Sequence, residues 1–246
     1  MAIKTLEQFN DQFTAFLREN PGMEQILDDG RQMLAELISN PGWLQPTLSR
    51  LVLDDAFLQS QWQSIDPYDI QLYNSPEKLY SVRAFVWEPD ETYPVHDHGA
   101  WGLVGAYINR VAEKKFARLD DGSDIHHAEL KPVAEAQLAP GQMTYVLPQN
   151  NGIHQMAALD NRTAVTIHVY GKPVRKGFIN YFNLHNQTVQ RMYPPSVNKR
   201  VYAIRTLGSI AEPWASDVLQ QARQRSFPDA IKNEIEYALD KIKTLG

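Results

Sequence analysis

Apolar positions recur at helical spacing over roughly the first sixty residues. Leu6, Phe9, Phe13, Phe16 and Leu17 fall on one face behind Thr5-Leu-Glu-Gln8, whose Thr and Gln form a capping box for the first turn. Met23, Ile26, Leu27, Met33, Leu34, Leu37 and Ile38 predict a second helix, stopped at Asn40-Pro-Gly42. A third, shorter helix is expected around 48–58. From about Tyr68 the period changes. Short runs rich in β-branched and aromatic residues occupy 80–87, 101–108, 113–119, 134–138, 143–147, 152–158 and 163–170, with turn signals at Asp121-Gly122 and Pro140-Gly141. This spacing predicts an all-β barrel or sandwich. After Arg205 helical patterning returns over 213–225 and 229–245. Ser226 is placed to cap the last helix, with Pro228 in its first turn. The expected organisation is a helical cover over 1–66, a β domain over 67–205 and a helical extension over 206–246. Ile231, Ile235, Leu239 and Ile242 form a narrow seam on that extension, suited to intramolecular docking or, as a second option, to a dimer contact. A monomer or homodimer is expected.

Composition narrows the function classes. A formal charge of −5 without basic clusters argues against nucleic acid as the partner. No apolar run approaches the length of a membrane span, and the first residues carry no apolar signal core, so a cytoplasmic protein is expected. Cysteine is absent, which excludes disulfides, thiolate metal sites and cysteine nucleophiles. Histidine and carboxylate remain as possible metal ligands.

Seven histidines are available. His96 and His98 are spaced i, i+2, so in extended chain both imidazoles point the same way while Asp97 points opposite and serves structure. His154 follows Gly152, which permits a tight turn that delivers the imidazole inward at a strand start. His126 and His127 follow the acidic turn Asp120-Asp-Gly-Ser-Asp124, and His185 sits in polar Asn183-Leu-His-Asn-Gln; these three are expected at the surface. Thr166, His168 and Tyr170 share a strand face.

A His-X-His pair followed by a third histidine resembles the cupin family, whose fold is a double-stranded β-helix (jelly-roll) barrel, over roughly 80–170. Cupins usually add a glutamate four or five residues after the second histidine; here those positions are Gly102 and Leu103. Three neutral imidazoles on iron(II) leave open positions for an anionic substrate and dioxygen. Three blocks are more specific: Ser81-Val-Arg-Ala-Phe-Val-Trp-Glu-Pro with Pro94-Val-His-Asp-His-Gly-Ala-Trp-Gly-Leu-Val-Gly105, then Gly152-Ile-His-Gln-Met, then Thr166-Ile-His-Val-Tyr-Gly171. Together they resemble the bacterial cysteine dioxygenase-type thiol dioxygenases, including 3-mercaptopropionate dioxygenases. The resemblance implies Fe(II) on His96, His98 and His154, with a small thiol and O2 as substrates. It also implies a relay of Thr166, His168 and Tyr170, threonine standing where the family has serine. The family anchors a substrate carboxylate through Arg or Gln upstream of the 80–87 strand. Gln71 is the nearest candidate here, and Arg83 is a second one, facing either the cavity or solvent. Trp87 and Trp101 are expected as cavity walls. Two other readings share the three-histidine site: a dioxygenase acting on a chelating β-diketone, and a non-catalytic cupin binding a metal or small ligand.

Overall fold

The structure is a computed structural model describing residues 3–40, 42–61, 66, 68–89 and 91–244, without the side chains of 196, 198 and 199. Pro41 and Leu245, which fall within the expected helix stop and last helix, lie outside the described residues. The chain divides into two compact units, 1–192 and 193–246.

The first unit opens with α1 (Leu6–Arg18), where Thr5 Oγ1 accepts from the Gln8 backbone N–H at 3.2 Å and Gln8 Oε1 accepts from the Lys4 N–H at 2.9 Å. The second expected helix is continuous but carries a π-helical turn, running as α2 (Met23–Gln25), the turn Ile26–Gly30 and α3 (Arg31–Ile38). Two short helices replace the expected third one: α4 (Gln45–Leu53) and α5 (Asp55–Ser60). Asp54 divides them by accepting from the Phe57 N–H at 3.0 Å.

Eleven strands follow among the described residues: β1 (Asp69–Asn74), β2 (Tyr80–Trp87), β3 (Val95–His96), β4 (Gly102–Ile108), β5 (Val111–Arg118), β6 (Leu130–Leu138), β7 (Met143–Val146), β8 (Ile153–Ala158), β9 (Ala164–Gly171), β10 (Ile179–Asn183) and β11 (Thr188–Met192). They build a five-stranded sheet ordered β1-β2-β9-β4-β7 and a six-stranded sheet ordered β11-β10-β3-β8-β5-β6, with antiparallel neighbours throughout. The fold class is therefore as expected, mainly β with helices at both ends of the chain.

Three strands go beyond the sequence expectation. β1 pairs with β2 through a register shift after Gln71, and β10 with β11 form a largely half-exposed hairpin. β6 also begins earlier than expected, at Leu130, and runs through Pro132. It is the edge strand of its sheet and most of its residues are exposed, which is where a proline lacking an N–H is tolerated.

Strand alternation sorts the side chains of the five-stranded sheet into two cores. Tyr80, Val82, Ala84, Leu103, Ile167 and Val169 meet Phe9, Phe13, Leu34 and Leu37 of the N-terminal helices. Phe85, Trp87, Val104 and Ala106 point the other way and join Val111, Leu138 and Met156 from the six-stranded sheet. The second core is the interior between the sheets.

The second unit contains α6 (Pro195–Leu207), α7 (Pro213–Arg223) and α8 (Asp229–Lys243), which contact one another. α7 and α8 match the helices expected at 213–225 and 229–245, while α6 was not expected and lies largely within the stretch assigned to the β domain. Ser226 does not cap α8: the N-cap is Pro228, without a side-chain bond. Ile231, Ile235 and Leu239 of the seam are buried, and Arg205 forms two hydrogen bonds with Glu234, at 2.9 and 2.7 Å.

Phe13 is fully buried, stacks on Phe9 at 5.0 Å and meets the Tyr80 ring edge-on at 4.9 Å. Phe13→Ala is expected to destabilise the fold by about 3–5 kcal/mol in urea unfolding. A loss below about 1 kcal/mol would show that the helices do not seal this face of the sheet.

Candidate metal centre

The interior face carries the three histidines together. His96, His98 and His154 are buried, and one ligand atom from each lies within 4.8 Å of the others. His96 and His98 do not share one continuous strand as expected. β3 ends at His96, whose register partner is His154 on β8, and His98 lies beyond the strand. The segment between is held by Asp97, fully buried, which accepts from Arg175 Nη1 at 2.7 Å, from the Asn180 N–H at 2.9 Å and from Asn180 Nδ2 at 2.8 Å. Asp97 therefore serves structure, as its opposite parity suggested. Gly152 is needed for a close approach: a Cβ there would lie 1.9 Å from the Leu147 carbonyl oxygen. The chain can enter β8 at His154 only without that atom.

Burial, followed by the neighbouring imidazole of His154, holds His96 well below the ordinary histidine range. His98 is depressed by burial, then by His96 and His154. Both are therefore neutral near pH 7 and offer lone pairs. His96 Nδ1 donates to the Pro94 carbonyl at 3.0 Å and His154 Nδ1 to Glu113 Oε1 at 2.8 Å, so in the neutral ring each Nε2 carries a lone pair. Nε2 of His98 and Nε2 of His154 stand 2.9 Å apart. Two nitrogens each about 2.1 Å from one ion and at a right angle would be separated by about 3.0 Å. The donor set fits a divalent transition metal.

The relay residues adjoin this group. Thr166 Oγ1 and His168 Nε2 are 2.7 Å apart, and His168 Nδ1 and the Tyr170 hydroxyl 2.8 Å. The Tyr170 ring lies 5.3 Å from that of His98 at an interplanar angle of 29°. Burial depresses His168, with His154, His96 and Arg83 adding to the effect, and burial raises the Tyr170 phenol far above its usual range. Gly102, where a cupin glutamate is expected, is the register partner of Tyr170, and a Cβ at Gly102 would meet the Tyr170 ring at 2.8 Å. The tyrosine ring and a side chain at 102 exclude each other.

The expected substrate-contacting residues separate. Arg83 faces the interior side, opposite His168 in the register, and its guanidinium pairs with the buried carboxylate of Asp69. Gln71 is exposed on β1, its backbone bonded to the Gln61 side chain. Trp87 is buried and its indole N–H donates to Thr166 Oγ1 at 2.8 Å, so it terminates the relay. Trp101 does not line the interior. It belongs to the core beneath the N-terminal helices and packs on Gly171, because its parity matches Leu103 and Val169. His126 and His185 are exposed, and His127 is half-buried and pairs with Thr188.

Sequence reasoning missed two groups. Glu113 lies behind His154, and the buried Tyr93 sits edge-on to His96 at 4.9 Å with its hydroxyl bonded to Asp66. Desolvation raises Asp66, against the bonds from Tyr93 and the Tyr68 N–H.

No family model matches the chain. Among solved structures, it is similar to an RmlC-like cupin family protein with a double-stranded β-helix fold from Methanocaldococcus jannaschii, at 12% identity over 45% of this chain and 84% of that one, with a TM-score of 0.32. It is also similar to a cupin domain of an XRE family transcriptional regulator from Enterobacter cloacae (15% identity, 43% and 95% covered, TM-score 0.31). A third is a cupin conserved barrel domain protein from Salinispora arenicola (17% identity, 48% and 84% covered, TM-score 0.32). These structural neighbours are cupin-family proteins. Two facing antiparallel sheets around a buried three-histidine group are what this chain itself displays.

The depressed histidines imply a pH dependence with a definite sign. His96, His98 and His168 bind protons more weakly folded than unfolded, so their contribution is full above the unfolded value near 6.5 and is lost as pH falls through that value toward the folded one. Urea unfolding in the presence of a chelator is expected to show stability falling by up to about 1.4 kcal/mol per pH unit for each such histidine below pH ~6.5. A flat profile from pH 7.5 to 5.5 would contradict neutral, desolvated imidazoles.

Proposed function

We propose that the chain is a mononuclear iron(II) thiol dioxygenase that converts a small thiol and O2 to the sulfinate. The observation that carries this reading is the Thr166–His168–Tyr170 chain abutting the ring of His98. A metal store or sensor needs the imidazoles, but it has no use for a polarised hydroxyl line ending beside them.

His96, His98 and His154 would hold the iron, which when bound supplies a positive centre that lowers a thiol pKa and receives both thiolate and dioxygen. The protein's own residues then set the proton inventory. The Trp87 indole N–H can only donate, so Thr166 Oγ1 accepts from it, and in the proposed arrangement the threonine proton goes to His168 Nε2. Neutral His168 consequently carries its proton on Nδ1 and donates to the Tyr170 oxygen. This leaves the phenolic proton of Tyr170 free to be donated away from His168. Because burial keeps that phenol protonated, it acts as a fixed hydrogen-bond donor rather than a base. Phe85 packs against the His168 ring at 4.5 Å, and Trp87 packs on Tyr93 at 5.2 Å, which excludes water from the back of the relay.

Arg83 is the group proposed to recognise a substrate carboxylate, in competition with Asp69, its present partner. This favours 3-mercaptopropionate- or cysteine-like thiols.

The iron-loaded protein is expected to consume O2 with one or more of 3-mercaptopropionate, cysteine and cysteamine, yielding sulfinate detectable by mass. Turnover of β-dicarbonyls and of none of the thiols would sink the reading in favour of a different dioxygenase. Tyr170→Phe is expected to lower kcat by about 100-fold with KM little changed. Arg83→Gln is expected to raise KM for a carboxylated thiol at least about tenfold while leaving cysteamine unaffected. Equal effects on both substrates would remove Arg83 from carboxylate recognition.

A further inference from the structure

Glu113 on β5 is 2% exposed, and three donors converge on its carboxylate. His154 Nδ1 lies 2.8 Å from Oε1, Thr144 Oγ1 donates to Oε2 at 2.7 Å, and Lys115 Nζ lies 3.7 Å from Oε2. Lys115 is held in turn by the Tyr145 carbonyl at 2.9 Å. The sheet register produces this arrangement. Lys115 is the direct partner of His154 and Glu113 the partner of Met156, so Glu113 shares the inner face with His154, one diagonal away. The other strand-borne histidine of the three-imidazole group differs: His96 Nδ1 meets a neutral carbonyl, that of Pro94.

We propose that Glu113 is a positioning residue of the metal centre, fixing His154 as the Nδ1–H tautomer and supplying, one ring behind the ion, the negative charge absent at Gly102–Leu103. The inference rests on the metal-binding reading of His96, His98 and His154 and deepens it. Donation from Nδ1 to a carboxylate keeps the Nε2 lone pair aimed at the shared point and makes the imidazole a stronger base toward a cation. Three imidazoles alone leave a divalent ion uncompensated in a desolvated interior. Glu113 offsets part of that charge without occupying a coordination position, so the open positions of the site are preserved. Thr144 and Lys115 allow the carboxylate to stay in the interior without an unsatisfied oxygen.

The test uses the full chain and Fe(II) or Co(II) alone, by anaerobic competition with a chromophoric chelator at one fixed pH. Glu113→Gln, which keeps an acceptor but removes the charge, and Glu113→Leu, which removes both, are expected to lower metal affinity by about 10–100-fold. Glu113→Asp is expected to recover part of the loss. Thr144→Val tests the support of the carboxylate with the carboxylate left in place, and is expected to give a smaller loss. The nitrogen chemical shifts of His154 in metal-free protein give a second readout, which a general packing role would not move. They are expected to report Nδ1–H in the wild type and a tautomer mixture in Glu113→Leu, in protein whose circular dichroism matches the wild type. Wild-type affinity within twofold in both Glu113→Gln and Glu113→Leu, or an unchanged tautomer in Glu113→Leu, would overturn the proposal while leaving the metal site standing. Absence of Co(II) and Fe(II) binding by the wild type would overturn the underlying metal reading together with it.

Discussion

Imidazoles withdrawn from water beside one another cannot readily take up protons, because each added charge would be both desolvated and repelled by its neighbours. The interior of this protein is arranged around that constraint. His96, His98 and His168 are all driven toward the neutral form, and every neutral imidazole must place one proton on one of two nitrogens. The surrounding groups decide which. A carbonyl settles it for His96 and a carboxylate for His154, whereas His168 lies between two hydroxyls, those of Thr166 and Tyr170. For His96 and His154 the Nε2 lone pair is consequently left toward the common point, and the Tyr170 ring lies beside His98.

The scaffold holds this arrangement through strand alternation. Along β9, Thr166, His168 and Tyr170 go inward while Val165, Ile167 and Val169 go outward to meet the N-terminal helices. A slip of one residue would exchange the relay for the hydrophobic seal. The helical cover and the relay are therefore two consequences of one register, set by β9 pairing with β2 on one side and β4 on the other. Asp97 performs the corresponding task for the irregular segment between His96 and His98, where no ladder is available and a buried carboxylate ties the chain to Arg175 and Asn180.

Much of this was legible in the sequence because it depends on local spacing. The shared face of Thr166, His168 and Tyr170 follows from period-two alternation inside one strand, their reading as a relay from the resemblance to thiol dioxygenases, and the approach to His154 from a glycine at a close passage. Groups that depend on pairing between distant segments were not legible. Glu113 reaches His154 only through the β5–β8 register, which no local pattern encodes. Trp101 was placed on the wrong face because the residue before a strand has no obvious parity until its neighbours are known. The β10–β11 hairpin lacks a clear apolar period, being mostly half-exposed, and α6 has a weak apolar stripe that starts among prolines. The first half of β6 is exposed and carries no apolar alternation, so its start at Leu130 was not legible either.

Gly102 and Tyr170 impose one more consequence. The Tyr170 ring, with Val146 beside it, fills the space that a side chain at 102 would need, so a carboxylate at 102 and the present phenol exclude each other at this wall. Placing a carboxylate at 102 thus needs space from both neighbouring strands, from Tyr170 on β9 and from Val146 on β7. Neither substitution alone, at Gly102 or at Tyr170, is a viable halfway point: one overpacks the wall, and the other opens a hole beside His98. The choice between carboxylate and phenol is written into the volume available at one glycine.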